Sequence, residues 1–105
     1  MSVSTHEQII ERRPNTLEYT WVTDAGHGWL MVHMEEINAL NIAGQISEYS
    51  YMDRRTGLAY LEEDCDASVF LDALREKLPR WEDVRFNTVN FKGDAPCRGF
   101  RRFGQ

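Results

Sequence analysis

Apolar and polar residues follow short strand-like patterns along the first part of this chain. Five of the seven residues from 17 to 23 are β-branched or aromatic, which is typical of a strand. Residues 29–34 are apolar on both faces apart from His33, and the Asp-Ala-Gly-His-Gly segment before them is typical of a hairpin loop. The pattern predicts a buried hairpin, in which Gly26 and Gly28 supply positive φ angles.

The middle and end of the chain repeat this pattern. Residues 46–52 and 58–62 are two further strand candidates, and the loop between them contains Gly57, which suits the left-handed conformation of such loops. Residues 84–91 alternate in the same way and predict a fifth strand.

Helical spacing is clearest from residue 67 to residue 78. One face of this segment is apolar, and a proline follows it. Shorter helices are expected near 5–13, where Thr-His-Glu-Gln fits a capping box, and near 35–41. Together the patterns predict an α+β fold, in which a mostly antiparallel sheet of about five strands packs against the 67–78 helix.

Composition places the chain among single soluble domains. It has 105 residues, a formal charge of −5 and 42% hydrophobic residues, so we expect one domain over 1–105 with a basic C-terminal tail at 96–105. The longest apolar run, Trp29 to Val32, is too short to span a membrane, and the polar start lacks the pattern of a secretory signal. The chain has two cysteines, Cys65 and Cys97, which we expect to be reduced thiols. A cytoplasmic protein is therefore expected.

Charge is unevenly distributed along the chain. Residues 35–83 hold 12 Asp and Glu against 5 Lys and Arg, whereas residues 84–105 hold 5 basic residues against 1 acidic residue. The acidic middle would repel nucleic-acid phosphate, so direct nucleic-acid binding is expected only through the Arg98–Phe103 tail. We predict an extended tail that buries at least one of Phe100 and Phe103, with its arginines near the acidic middle.

The densest polar cluster is Glu62-Glu63-Asp64-Cys65-Asp66, at the junction between a predicted strand and the main helix. Carboxylates are favoured there for capping alone, and they oppose ionisation of the Cys65 thiol. A metal site would combine His27 or His33 with residues of this cluster, but no metal-ligand spacing supports one. We therefore predict no metal and no cofactor.

Three segments carry a resemblance to a known family: Gly-His-Gly-Trp-Leu at 26–30, Ile-Ser-Glu-Tyr-Ser-Tyr at 46–51, and Ala-Tyr-Leu-Glu-Glu-Asp-Cys-Asp-Ala at 59–67. The chain resembles a family of uncharacterised small domains from phages, plasmids and proteobacteria, in which Gly-His-Gly and Glu-Asp-Cys-Asp are the signature elements. The resemblance implies an accessory protein of a mobile element and carries no activity with it.

These observations predict a small acidic accessory protein of a phage or mobile element. It would bind and inhibit a host or viral protein with a basic surface, such as a nucleic-acid-handling defence complex. The expected contact residues are Glu62, Glu63, Asp64, Asp66 and His27. One alternative is a small metal- or thiol-dependent enzyme that uses His27, Asp64, Cys65 and Asp66. Another is an assembly component that self-associates, for example as a homodimer.

Overall fold

In the computed structural model, which describes residues 17–77 and 84–104, six strands form one sheet. Two short 3-10 turns, Ala43–Gln45 and Pro96–Gly99, connect its elements. In chain order the strands and helices are β1 (Leu17–Thr23), β2 (Gly28–His33), α1 (Met34–Ala39), β3 (Tyr51–Asp53), β4 (Leu58–Glu62), α2 (Ala67–Lys77), β5 (Val84–Asn90) and β6 (Arg101–Arg102).

The strand order across the sheet is β5-β1-β2-β4-β3-β6. Every neighbouring pair is antiparallel except β1 and β5, which are parallel, with Leu17 opposite Val84. The predicted α+β class and the mostly antiparallel sheet are confirmed. The strand count is six rather than about five, because the tail adds β6 beside β3.

The strand predicted over 46–52 was placed too early, because β3 begins only at Tyr51. Residues 47–50 form a turn instead, since the Asp66 carboxylate accepts hydrogen bonds from the Ser47 backbone and from the Ser47 and Ser50 hydroxyls. The helix predicted near 35–41 is α1, and it ends before Asn41, whose φ is positive. The helix predicted near 5–13 and the last residue of the one predicted over 67–78 lie outside the described residues.

The two hairpin loops obtain their shapes by different means. Gly57 has a φ of 77°, as predicted for the β3–β4 loop. The expectation of positive φ at Gly26 and Gly28 is wrong, because Asp24 Oδ1 shapes the β1–β2 loop by accepting the backbone N–H groups of Gly26 and His27. At position 28 a Cβ would lie 2.9 Å from Oε2 of Glu63, so a larger residue there would require this exposed side chain to move.

Each face of the sheet has its own apolar cluster. The larger cluster lies on the side of α1 and α2, and its fully buried side chains include Leu30, Leu61 and Phe70. The smaller cluster lies on the other face and is formed by Val22, Trp29, Ala95 and Cys97, with Tyr51, Tyr60, Phe91 and Phe100 packed against it. Alternation along β2 explains the division, since Trp29 and Leu30 point to opposite faces.

The basic C-terminal tail adds the edge strand β6 to the sheet, beside β3. Phe103 is buried in the larger cluster and Phe100 packs on the smaller one, so the two rings lie on opposite faces as an extended chain requires. The tail is extended at β6 and forms a 3-10 turn before it. Arg98 pairs with Asp24, outside the acidic middle of the chain, whereas Arg102 donates to the Glu48 carbonyl within it, so the predicted position of the arginines is correct for Arg102 and wrong for Arg98.

Within the described part of the chain, no helix combines the length and the apolar character needed to cross a membrane.

Candidate binding site

A pocket of about 390 Å³ opens on the face of the sheet opposite α2; we call it the aromatic pocket. Four rings, two carboxylates, a thiol and two guanidinium groups line it. The lining residues are His27, Trp29, Tyr49, Tyr51, Glu62, Asp64, Cys65, Arg98 and Arg102. Its size lies within the range of small-ligand sites, which are about 300–1,000 Å³.

Strand register brings these residues together. Trp29 of β2 is paired with Glu62 of β4, and Tyr51 of β3 is paired with Arg102 of β6. Because side chains of directly paired residues lie on the same face of a sheet, these four side chains share the face that carries the pocket. The β1–β2 loop adds His27, and the turn after β4 adds Asp64 and Cys65.

One side of the aromatic pocket is fixed by an ion pair between the β1–β2 loop and the tail. Arg98 donates from Nε to Asp24 Oδ2 at 2.6 Å and from Nη2 to Oδ1 at 3.0 Å. Hydrogen bonds from Arg98 and from the Ala95 backbone hold the pKa of Asp24 well below its usual value, and the pair raises the pKa of Arg98. The Arg98 Cζ atom also lies 5.0 Å from the centroid of the Trp29 ring. The two hydrogen bonds to Asp24 and this ring contact together hold the Arg98 side chain in place.

The Trp29 indole has a polar atom without a partner. Its side chain is 2% exposed, and no hydrogen-bond acceptor within the described residues reaches Nε1. A buried donor that lacks an acceptor costs about 1–3 kcal/mol.

Glu62 is a buried carboxylate in the wall of the aromatic pocket. Only 6% of the residue is exposed, and its Oε1 accepts the backbone N–H groups of Asp64 and Cys65 at 2.8 and 2.9 Å. These bonds hold the turn between β4 and α2. No cation of the described chain lies within ion-pair distance of Glu62, so its charge is met there by hydrogen-bond donors alone.

Asp66 faces away from this arrangement, although it belongs to the same acidic cluster in the sequence. It is 2% exposed, and its two oxygens are engaged by Ser47 and Ser50. Ser50 in turn accepts the backbone N–H of Glu62 at 2.9 Å. Asp66 therefore stabilises the 47–50 turn that carries Tyr49, and it does not contribute to a contact surface.

The Cys65 thiol is exposed in the aromatic pocket, but its surroundings suppress ionisation. Desolvation, a hydrogen bond to Glu62 and the charges of Glu62, Asp66 and Asp64 raise its pKa. A nucleophilic thiol needs the opposite shift. In the described part of the chain no three His, Cys, Asp or Glu side chains are placed to hold a metal ion, so His27, Asp64, Cys65 and Asp66 do not form a ligand set.

Tyr49 and Arg102 are among the exposed residues that line the aromatic pocket. Tyr49 is 61% exposed, the largest exposure among the big hydrophobic residues described. Arg102 is also exposed; its Cζ atom lies 5.7 Å from the centroid of the Tyr51 ring, and its Nη1 donates to the Glu48 carbonyl at 3.1 Å. Among the described residues, Arg102 has no ion pair, so this hydrogen bond and the ring contact hold its side chain.

Of the contact residues predicted from the sequence, His27, Glu62 and Asp64 line the aromatic pocket, whereas Glu63 is exposed with its carboxylate close to Gly28 and Asp66 is buried, and neither lines the pocket. Sequence reasoning treated the tyrosines and the tail arginines separately from this cluster. Their convergence depends on the β3–β6 and β2–β4 pairings, which no local pattern reveals.

Comparison of the chain with protein-family models, with curated proteins and with solved structures finds no match. The resemblance to small phage and plasmid domains therefore stays a prediction.

Proposed function

We propose that this protein is a binding protein, which engages a second protein through the aromatic pocket and the carboxylates beside it. The partner presents a basic surface, and binding occupies that surface. In the setting implied by the sequence resemblance, the chain is a small acidic accessory protein of a phage or mobile element that inhibits a host protein or defence complex.

The observation that carries this proposal is the buried Glu62 carboxylate without a cationic partner in the described chain. A buried carboxylate gains most from a charged donor that reaches it through an open pocket. Two exposed acidic residues lie close to the opening: Asp64 lines the pocket, and Glu48 precedes Tyr49 and accepts a hydrogen bond from Arg102 through its backbone carbonyl. We call Glu48 and Asp64 the acidic rim. Charges so placed attract a basic surface over several ångströms and orient it.

The enzyme alternative receives no comparable support. The raised pKa of Cys65 keeps that thiol protonated near neutral pH, and Asp66 is bound to Ser47 and Ser50.

Self-association is a second candidate, favoured by one observation. Among the described residues, β5 pairs only with β1, and Phe86 and Val89 on it are 42% and 46% exposed. Long exposed edge strands readily pair with another chain. A solution mass above that of one 12.3 kDa chain, reduced by Val89→Lys, would support it, and a monomeric mass would exclude it.

The primary proposal is tested with two double variants of equal charge change. Glu48→Lys with Asp64→Lys alters the acidic rim, whereas Asp72→Lys with Glu76→Lys alters exposed positions on α2, which line a different groove. Host proteins retained by the immobilised wild-type chain at low salt should be lost with the rim variant and kept by the α2 variant. They should also be released at high salt.

The retained partner is then assayed for nucleic-acid binding with and without the chain, and a loss is expected. Equal loss of retention with both double variants would show only general charge attraction and would contradict the proposal. Absence of any retained protein at low salt would contradict it as well.

A further inference from the structure

We infer that the aromatic pocket receives the guanidinium group of an arginine on the bound protein, and that the chain's own Arg102 occupies part of this position until the partner displaces it. The inference rests on the proposed function and specifies the group that the site recognises.

The rings of this pocket already bind guanidinium groups within the chain. Arg98 lies over Trp29 and Arg102 lies over Tyr51, at 5.0 and 5.7 Å from the ring centroids. Both distances are within the range of cation–π attraction. Tyr49 has no ring or cation partner among the described residues and is mostly exposed. The pocket thus has one aromatic side chain available for a further cation.

The charges of the aromatic pocket also favour a cation over an anion. It is lined by two carboxylates, Glu62 and Asp64, and by two arginines, Arg98 and Arg102. Arg98 is bound by both oxygens of Asp24, so that its charge is already compensated. Arg102 alone remains to offset Glu62 and Asp64, and Glu48 of the acidic rim adds further negative charge. This excess of negative charge would repel an incoming anion.

A guanidinium group suits the donor and acceptor pattern better than an ammonium group. It is planar, which allows stacking on a tyrosine ring, and it has five N–H donors that can reach two carboxylates at once.

The two arginines of the pocket differ in how firmly they are held. Arg98 makes two charged hydrogen bonds to a carboxylate whose side chain is 2% exposed. Arg102 has one hydrogen bond to a carbonyl, is exposed, and belongs to the two-residue strand β6. Displacing Arg102 therefore breaks only one hydrogen bond and one exposed ring contact. Arg102 acts as an internal competitor of the partner's arginine.

The test uses the full chain and capped peptides that carry a single arginine or a single lysine between glycine and serine residues, with binding followed by calorimetry or by NMR shifts. Arg102→Gln should tighten arginine-peptide binding about threefold, because it removes both the competitor and a like charge. Arg101→Gln is the matched control, since Arg101 is the adjacent exposed arginine outside the pocket, and it should change affinity much less.

Two further variants report on the pocket itself. Tyr49→Ala and Asp64→Asn should each weaken arginine-peptide binding about threefold, whereas Asp72→Asn on α2 should leave it unchanged. Both altered residues are exposed, so thermal unfolding should stay close to that of the wild type and confirm that the fold is intact. The lysine peptide should bind more weakly than the arginine peptide.

The contrary results are distinct. Weaker peptide binding with Arg102→Gln, or equal affinity for the lysine peptide, would overturn the inference. A nucleoside monophosphate that binds the wild type and is lost with Arg102→Gln would show an anion site and would also overturn it. If no arginine peptide binds while the rim-dependent partner is still retained, this inference fails and the proposed function stands.

Discussion

On one face of the sheet, Leu30, Leu61 and Phe70 pack with α1 and α2 into a continuous apolar cluster, whereas on the other face the described residues that cover Trp29 and its neighbours are those that follow β5. Both faces are apolar, but within the described ranges fewer residues cover the second. The aromatic pocket lies on this thinly covered face. From this difference we expect the helix face to provide most of the stability, and the other face carries the proposed binding surface.

The strongest test of this comparison is truncation of a ring on each face. Phe70→Ala should lower the free energy of unfolding by about 3–5 kcal/mol, because Phe70 is fully buried and packs edge-on against Tyr19. Phe100→Ala should cost about 1 kcal/mol, since Phe100 is half-buried beside Tyr60. Urea unfolding measures both. Equal losses would show that the two faces contribute equally.

The tail can be tested at the one ring that it places in the larger cluster. Phe103→Ala should destabilise the fold by about 1.5–3 kcal/mol, the value of a buried aromatic side chain. Removing all residues after Cys97 should lower the thermal midpoint further, because it also removes the Arg98–Asp24 pair and β6. An unchanged midpoint after this truncation would show that the tail does not stabilise the fold.

The ion pair between Asp24 and Arg98, beside the aromatic pocket, can be tested by the pH dependence of stability. Because Arg98 and backbone donors lower the pKa of Asp24 in the folded state, its contribution to stability is complete above the unfolded value of 3.8 and is lost as the pH falls through the folded value. Asp24→Asn should therefore lower the thermal midpoint at pH 7. The difference from wild type should shrink below about pH 4. A difference that persists in strong acid would contradict this origin.

The smallest expected effect concerns the two thiols. Burial raises the pKa of Cys97 from 9.0 to about 12, so the stability that the neutral buried thiol contributes should decline as the pH rises from 9 towards 12. Cys97→Ala should flatten this decline in thermal midpoint.

At neutral pH, iodoacetamide should modify the exposed Cys65 before the buried Cys97. Cys65 should also react more slowly than a free thiol, because its pKa is raised. Faster modification of Cys97 would contradict its burial.

Local patterns predicted much of the fold. The strands at 17–23, 58–62 and 84–90 and the helix from residue 67 were identified from alternation and helical spacing, since these depend on neighbours two to four positions away. The start of β3 was misplaced, because the 47–50 turn is held by Asp66, some 19 positions away from Ser47. The positive φ angles predicted at Gly26 and Gly28 are absent, because the Asp24 carboxylate shapes this loop and is itself held by Arg98, 74 positions away.

The sequence by itself determined the α+β class, the main elements and the residue types available for binding: rings, carboxylates and tail arginines. Only the tertiary structure decided which of them meet. Asp64 and Asp66 are two positions apart, yet one lines the aromatic pocket and the other is buried against the 47–50 turn. Arg98 reaches Asp24 across 74 positions. The physical reason is that strand pairing and burial set these contacts, and both depend on the whole sheet rather than on neighbouring residues.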